Sequence, residues 1–191
     1  MPAPTSSRGL RERKKLQTRL AIRREAFRLF DKQGYANTTI EQIAAAAEVS
    51  SRTFYRYFGV KEALLTSDDQ ISPIVEAFAA APPELDPVAA YRYAVAAFYG
   101  DLSQEERDDA AAGQRLMYEV PEVRGLLYSE YVRLIDLIAE ALVRRGDPAD
   151  ELGRRVVAGA IVGVLIAASH NTPLPEDALL RSLSILEDKL S

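Results

Sequence analysis

Cysteine is absent from the 191 residues, and histidine occurs once, as His170. Without cysteine there is no disulfide, no zinc knuckle and no thiol nucleophile. A single histidine cannot build a cluster with metal-ligand spacing. It stands between Ser169 and Asn171, and neighbours on a helix do not face one another, so Ser169 and His170 form no nucleophile–base pair. A histidine at a helix end fits an interaction with the helix dipole instead. No glycine-rich phosphate loop is present. The chain therefore reads as a non-enzyme with no metal and no cofactor.

Long apolar runs are scarce as well. The longest covers residues 156–168, well short of the roughly 20 residues that a membrane span needs. The N-terminus is charged and carries no signal-like apolar stretch. A cytoplasmic chain with no membrane partner is expected, its apolar run a buried helix. Sustained alternation of polar and apolar residues, the mark of a strand, is also missing, so the expected fold is all-α.

Charge is present but unevenly placed. Residues 1–65 hold 13 Lys and Arg against 6 Asp and Glu, a net of +7; the remainder holds 11 against 22, a net of −11. The overall net charge of −4 thus hides a basic first third, where a polyanion would bind.

The helical pattern is punctuated. Residues 1–9, with two prolines and a Thr-Ser-Ser run, read as a disordered basic arm. A first helix is expected over residues 10–33, with Ile22, Ala26, Leu29 and Phe30 on one face and Gly34 ending it at positive φ. Thr38 then caps a second helix, with Glu41 three residues on completing a capping box. Ile40, Ile43, Ala44 and Ala47 make its buried stripe. After a turn at residues 48–50, a third helix runs through Phe58 with Phe54 and Phe58 inward. A fourth should start near Lys61 and run toward Phe78. Further helices are expected over residues 87–100, 103–118, 121–145, 149–170 and 175–190, separated by prolines and by Gly146. The domain division is residues 10–60 as a helix-turn-helix head and 61–191 as a larger helical body for effector binding and dimerisation.

An α-helix fits the major groove, and the residues of its first turns reach base edges. The outward positions of the third helix are Ser51, Arg52, Thr53, Tyr55, Arg56 and Tyr57, preceded by Ser50. Arg52 and Thr53 suit base readout, since arginine grips guanine bidentately and a threonine methyl meets thymine. Tyr55, Tyr57 and Lys61 suit phosphate, as does Thr39, whose hydroxyl lies at a helix N-terminus. Packing beneath the head is the lesser alternative for Tyr57, and Arg56 also fits a salt bridge. The N-terminal basics Arg8, Arg11, Arg13, Lys14 and Lys15 fit either a solvated face or an arm along the adjacent groove.

The run Thr39-x-x-x-Ile43-Ala44-x-x-x-x-Val49-Ser50-x-x-x-Phe54-Tyr55-x-Tyr57-Phe58-x-x-Lys61-Glu62-x-Leu64 resembles the DNA-binding domain of the TetR family of bacterial transcriptional regulators. Ala26-Phe27-x-x-Phe30-x-x-x-Gly34-Tyr35 extends the resemblance upstream, to about a third of the chain. One position departs: the family usually has glycine where Glu48 stands, and an L-residue in left-handed backbone costs roughly 1–2 kcal/mol. The resemblance implies an all-helical homodimer on a palindromic double-stranded DNA operator, acting as a repressor that a small-molecule effector in the body releases. The alternative is a DNA-binding dimer controlled by a protein partner or by no ligand.

In the body, residues 156–165 are apolar all round, with Gly159 and Gly163 four apart, where another helix can approach closely. Leu179, Leu183 and Leu186 form a second stripe. Both stretches are candidate dimer surfaces, with intramolecular packing the competing reading. Phe98, Met117, Tyr118, Tyr128 and Tyr131, among other aromatics, suit a mostly apolar pocket with polar anchors, and Arg115 suits an anion. Residues 115–124 also loosely resemble a TetR subgroup similar to acyl-CoA-sensing regulators, which implies an apolar or acyl-type effector.

Overall fold

A computed structural model of the chain describes residues 10–65, 68–169 and 176–190. The basic arm at residues 1–9 and His170 lie outside the described residues. Within them the chain is helical with no strand. It divides into two compact units, one ending at Leu64 and the other beginning at Leu65.

The first unit contains α1 (Leu10–Gln33), α2 (Ile40–Ala46) and α3 (Ser51–Phe58). Ile22, Ala26, Phe27 and Phe30 of α1, Ile43 and Ala44 of α2, and Phe54 and Phe58 of α3 are all buried. Phe54 is fully buried, and burial of that order stabilises by about 3–5 kcal/mol relative to alanine. Gly34, at φ 83°, ends α1 and donates its N–H to the Phe30 carbonyl.

Thr39, not Thr38, caps α2. Its hydroxyl accepts from the Gln42 N–H while the Gln42 side chain returns to the Thr39 N–H, closing the capping box. Thr38 and Glu41 carry the same signature one residue earlier, but the Thr38 hydroxyl is buried and donates to the Gly34 carbonyl at 2.8 Å. The end of α1 thus takes one threonine and leaves its neighbour for the cap.

The fourth helix also starts later than the sequence pattern suggests. A 3₁₀ turn at Glu62–Leu64 follows Lys61, and α4 spans Asp68–Ala79. Lys61 reaches back to the loop between α1 and α2, which keeps this stretch with the first unit.

The second unit comprises α4, α5 (Pro87–Gly100), α6 (Gln104–Glu119), α7 (Pro121–Arg144), α8 (Glu151–Ser169) and α9 (Glu176–Leu190). Asp86 caps α5 by accepting from Val88 and Ala89, with Pro87 at the first helical position, and Ser103 and Glu106 form a capping box on α6. The core is built from Phe78 of α4, Tyr91 and Val95 of α5, Ile138 and Leu142 of α7, Ile161 of α8 and Leu183 of α9. Arg145 locks one corner. Its guanidinium lies over the Phe78 ring and donates to the carbonyls of Phe78, Ala81, Pro82 and Leu85 at 2.9–3.1 Å. By length and composition α8 is apolar enough to cross a membrane; Ala158, Ile161 and Val162 instead bury one of its sides in this core.

Candidate functional site

The turn between α2 and α3 decides how α3 is presented. The Val49 N–H bonds to the Ala44 carbonyl and the Glu48 N–H to the Ala45 carbonyl, the paired bonds of a Schellman motif with Glu48 at its left-handed position. Glu48 has φ 55° and is the non-glycine residue with positive φ among the described residues. The same motif ends α7 with a glycine, Gly146, at φ 76°.

Ser50 then caps α3, its hydroxyl accepting from the Thr53 N–H at 3.1 Å and lying 3.0 Å from the Thr53 hydroxyl. With Phe54 and Phe58 consumed by the core, α3 turns Arg52, Tyr55 and Arg56 outward, all exposed, with Ser51, Thr53 and Tyr57 half-buried beside them. Tyr55 braces edge-on against Phe54, and the Arg56 guanidinium lies 5.4 Å from the Tyr57 ring centre. Arg19 of α1 supports the end of α3, donating to the Tyr57 carbonyl and lying over Phe58.

Lys61 sits differently from the other candidates. Its ammonium donates to the Tyr35 carbonyl at 2.9 Å and the Thr38 carbonyl at 3.0 Å, and lies 4.1 Å from the Tyr35 ring centre. Two of its three protons are thus spent inside the head. Thr39 is exposed at the start of α2. Arg13, Lys14 and Lys15 are exposed on α1, while Arg8 lies outside the described residues.

The second unit holds a cavity of about 130 Å³. Its walls are largely apolar, with Ile74, Val95, Leu127, Leu134 and Leu165 among them, and its polar groups are Gln114, Glu130, Ser169 and four tyrosines: Tyr91, Tyr99, Tyr118 and Tyr131. The Tyr118 and Tyr131 hydroxyls are 3.2 Å apart; Tyr131 is also bonded to Ser169, whose hydroxyl lies 3.2 Å from the Ile166 carbonyl. Burial pushes Tyr131 up to about 12, assisted by its bond to Tyr118. Burial likewise raises Tyr91 and Tyr99.

Of the residues expected at a pocket, Met117, Tyr118 and Tyr131 line this cavity, and three do not. Phe98 packs beside Tyr99 against the core. Tyr128 is 76% exposed, because its place on α7 faces away from the wall made by Leu127, Glu130, Tyr131 and Leu134. Arg115 turns away from the cavity and pairs with Glu119 at 2.9 Å, one helical turn along α6. Gln114, Glu130 and Ser169 were missed; single polar residues within helices carry no periodic signal that marks them as lining.

The expected dimer stripes also divide. Leu179 and Leu183 are 7% and 0% exposed and Leu186 packs against the same core, so Leu183 has no surface left for a second copy. On α8 the opposite holds. Leu152, Val156 and Ile166 are exposed, and Gly159 and Gly163 complete a line in which a Cβ added at either glycine meets nothing within 4 Å.

A capped helix held by two buried phenylalanines, turning two arginines and a tyrosine outward beyond a tight turn, defines a helix-turn-helix DNA-binding regulator of transcription. Comparison with known proteins agrees. Residues 22–67 match the family described as bacterial regulatory proteins, tetR family, and residues 85–191 match the MftR C-terminal domain. The HTH-type transcriptional regulator TcmR of Streptomyces glaucescens is 36% identical over 189 residues, covering 93% of this chain and 82% of the relative. The HTH-type transcriptional repressor NicS of Pseudomonas putida is 38% identical over 63 residues, 33% of this chain and 30% of the relative. A solved TetR-like transcriptional regulator from Rhodococcus sp. RHA1 covers 95% of this chain and 94% of its own at 26% identity, with a TM-score of 0.43. The chain belongs to the TetR family, a family of transcriptional regulators and not an enzyme class.

Proposed function

We propose that the protein is a repressor that binds a palindromic operator as a homodimer and leaves it when a small molecule enters the cavity of the body. The observation that carries the DNA-binding half is the outward face of α3, with Arg52 exposed between the capping Ser50 and the buried Phe54. Arg52 and Thr53 read bases; Tyr55, Arg56, Tyr57 and Thr39 meet phosphates and fix the register. Lys61 serves mainly to hold the α1–α2 loop, since its ammonium is already bonded there.

One head touches only a few base pairs, so specific affinity calls for two. The α8 stripe supports a partner surface: Leu152, Val156, Gly159, Gly163 and Ile166 follow a four-three-four-three spacing, the repeat of a helix-on-helix seam, and the glycines permit close approach. Effector binding would then alter the geometry linking the heads. Because the second half-site acts through effective concentration, a small misfit removes most of the affinity. Repression is steric, the dimer occupying a site that overlaps a promoter.

Selection of bound DNA from a random pool tests this reading. A palindrome whose half-site centres lie one helical turn apart, or a multiple of it, is expected. Enrichment of an unsymmetrical site, or of none, would count against it.

A further inference from the structure

Resting on the reading of the cavity as the effector site, we infer that the part of the effector entering it is uncharged and bears a hydroxyl or carbonyl oxygen, and that the site rejects a carboxylate of the same shape. Among the described lining residues there is one carboxylate, Glu130, and no lysine or arginine.

Several arginines of the lining helices are otherwise engaged, Arg92 beside Tyr91 pairing with Glu187 at 2.9 Å. Arg133 pairs with Glu130 at 2.8 Å and Arg115 pairs with Glu119. Arg107 pairs with Glu176 at 2.5 Å and donates to the Tyr99 carbonyl. An anion carried into the mostly apolar space would lose water and gain no opposite charge from the described lining residues, a cost that outweighs what neutral hydrogen bonds return. A cation fares little better, since the Glu130 carboxylate is already shared with Arg133.

A chain of hydroxyls runs from Ser169 through Tyr131 to Tyr118. A hydroxyl carries one proton and two lone pairs and rotates to suit its partner. If Ser169 donates to the Ile166 carbonyl, Tyr131 donates to Ser169 and Tyr118 to Tyr131, which leaves the Tyr118 oxygen open to accept from a ligand hydroxyl. If Ser169 turns to donate to Tyr131, the whole chain reverses and Tyr118 donates to a ligand carbonyl. The raised Tyr131 keeps the chain protonated across the physiological range.

The experiment uses the full-length protein and three probes that share one flat two-ring frame: a naphthol, a naphthoate and a naphthylmethylammonium. Binding is followed by thermal shift and by tyrosine fluorescence, the sequence having nine tyrosines and no tryptophan. The naphthol should bind at least tenfold tighter than either ion. Tyr118→Phe should weaken the naphthol about five- to tenfold, the worth of one neutral hydrogen bond, while naphthoate stays weak. Tyr128→Phe, altering a ring turned away from the cavity, controls for fold and should change nothing. Naphthoate binding as tightly as naphthol overturns the charge rule and leaves the cavity standing as a ligand site. If no probe on this or a three-ring frame binds, both the inference and the effector reading beneath it are overturned.

Discussion

Glu48 is a side chain in a backbone conformation that favours glycine, and its position in a Schellman turn leaves no alternative while both carbonyl bonds persist. Glu48→Gly should raise stability by about 1 kcal/mol, read as a higher urea midpoint with an unchanged slope. Arg52 and Lys61 are both basic and close to α3, yet they should fail in different ways. Arg52→Ala should flatten base preference at one position of each half-site, costing about 1–3 kcal/mol there, in a titration of operator variants. Lys61→Ala removes two charge-assisted bonds inside the head. It should cost about 2 kcal/mol of stability in denaturation, with the salt dependence of DNA binding nearly unchanged. If instead that dependence drops by a full phosphate contact, the lysine reaches DNA.

At the scale of elements, α8 has two unlike sides. Ala158, Ile161 and Val162 hold the body's core, and Val156, 63% exposed, belongs to the outer stripe. Val156→Glu should leave the protomer folded and weaken self-association roughly a hundredfold, the effect of about 3 kcal/mol for a charge placed in an apolar seam, measured by sedimentation at graded concentration. Helix limits were largely legible in the sequence because prolines and glycines end helices for local reasons; the expected 87–100 became Pro87–Gly100. Rotation of each helix about its axis was not legible. Leu183 and Val156 both sit in apolar stripes, and only packing by α5 and α8 makes one interior and the other surface. The same limit explains why Tyr128 and Tyr131, three residues apart, part company. Thr38 and Thr39 show it at the smallest size: two adjacent capping signals are equivalent until the Gly34 carbonyl takes one of them.

For the whole molecule, buried tyrosines make stability sensitive to alkali. A phenol whose folded value lies above its unfolded value of 10 binds its proton more tightly when folded. Its contribution is therefore complete below pH 10 and declines as pH rises toward about 12 for Tyr131. Unfolding free energy should hold steady through neutrality and begin to fall near pH 10, with Tyr91→Phe or Tyr131→Phe blunting the decline; circular dichroism alongside tyrosinate absorbance would follow it. A protein that lost stability chiefly near pH 7 would have another group in control.

The run of hydroxyls from Ser169 to Tyr118 also bears on the breadth of the proposed effector response. A site that can meet oxygen as giver or taker accepts both a ketone and the alcohol made by reducing it. On the proposed effector site, discrimination would then fall to the outline of the cavity, and compounds that differ only in oxidation level should elicit the same response.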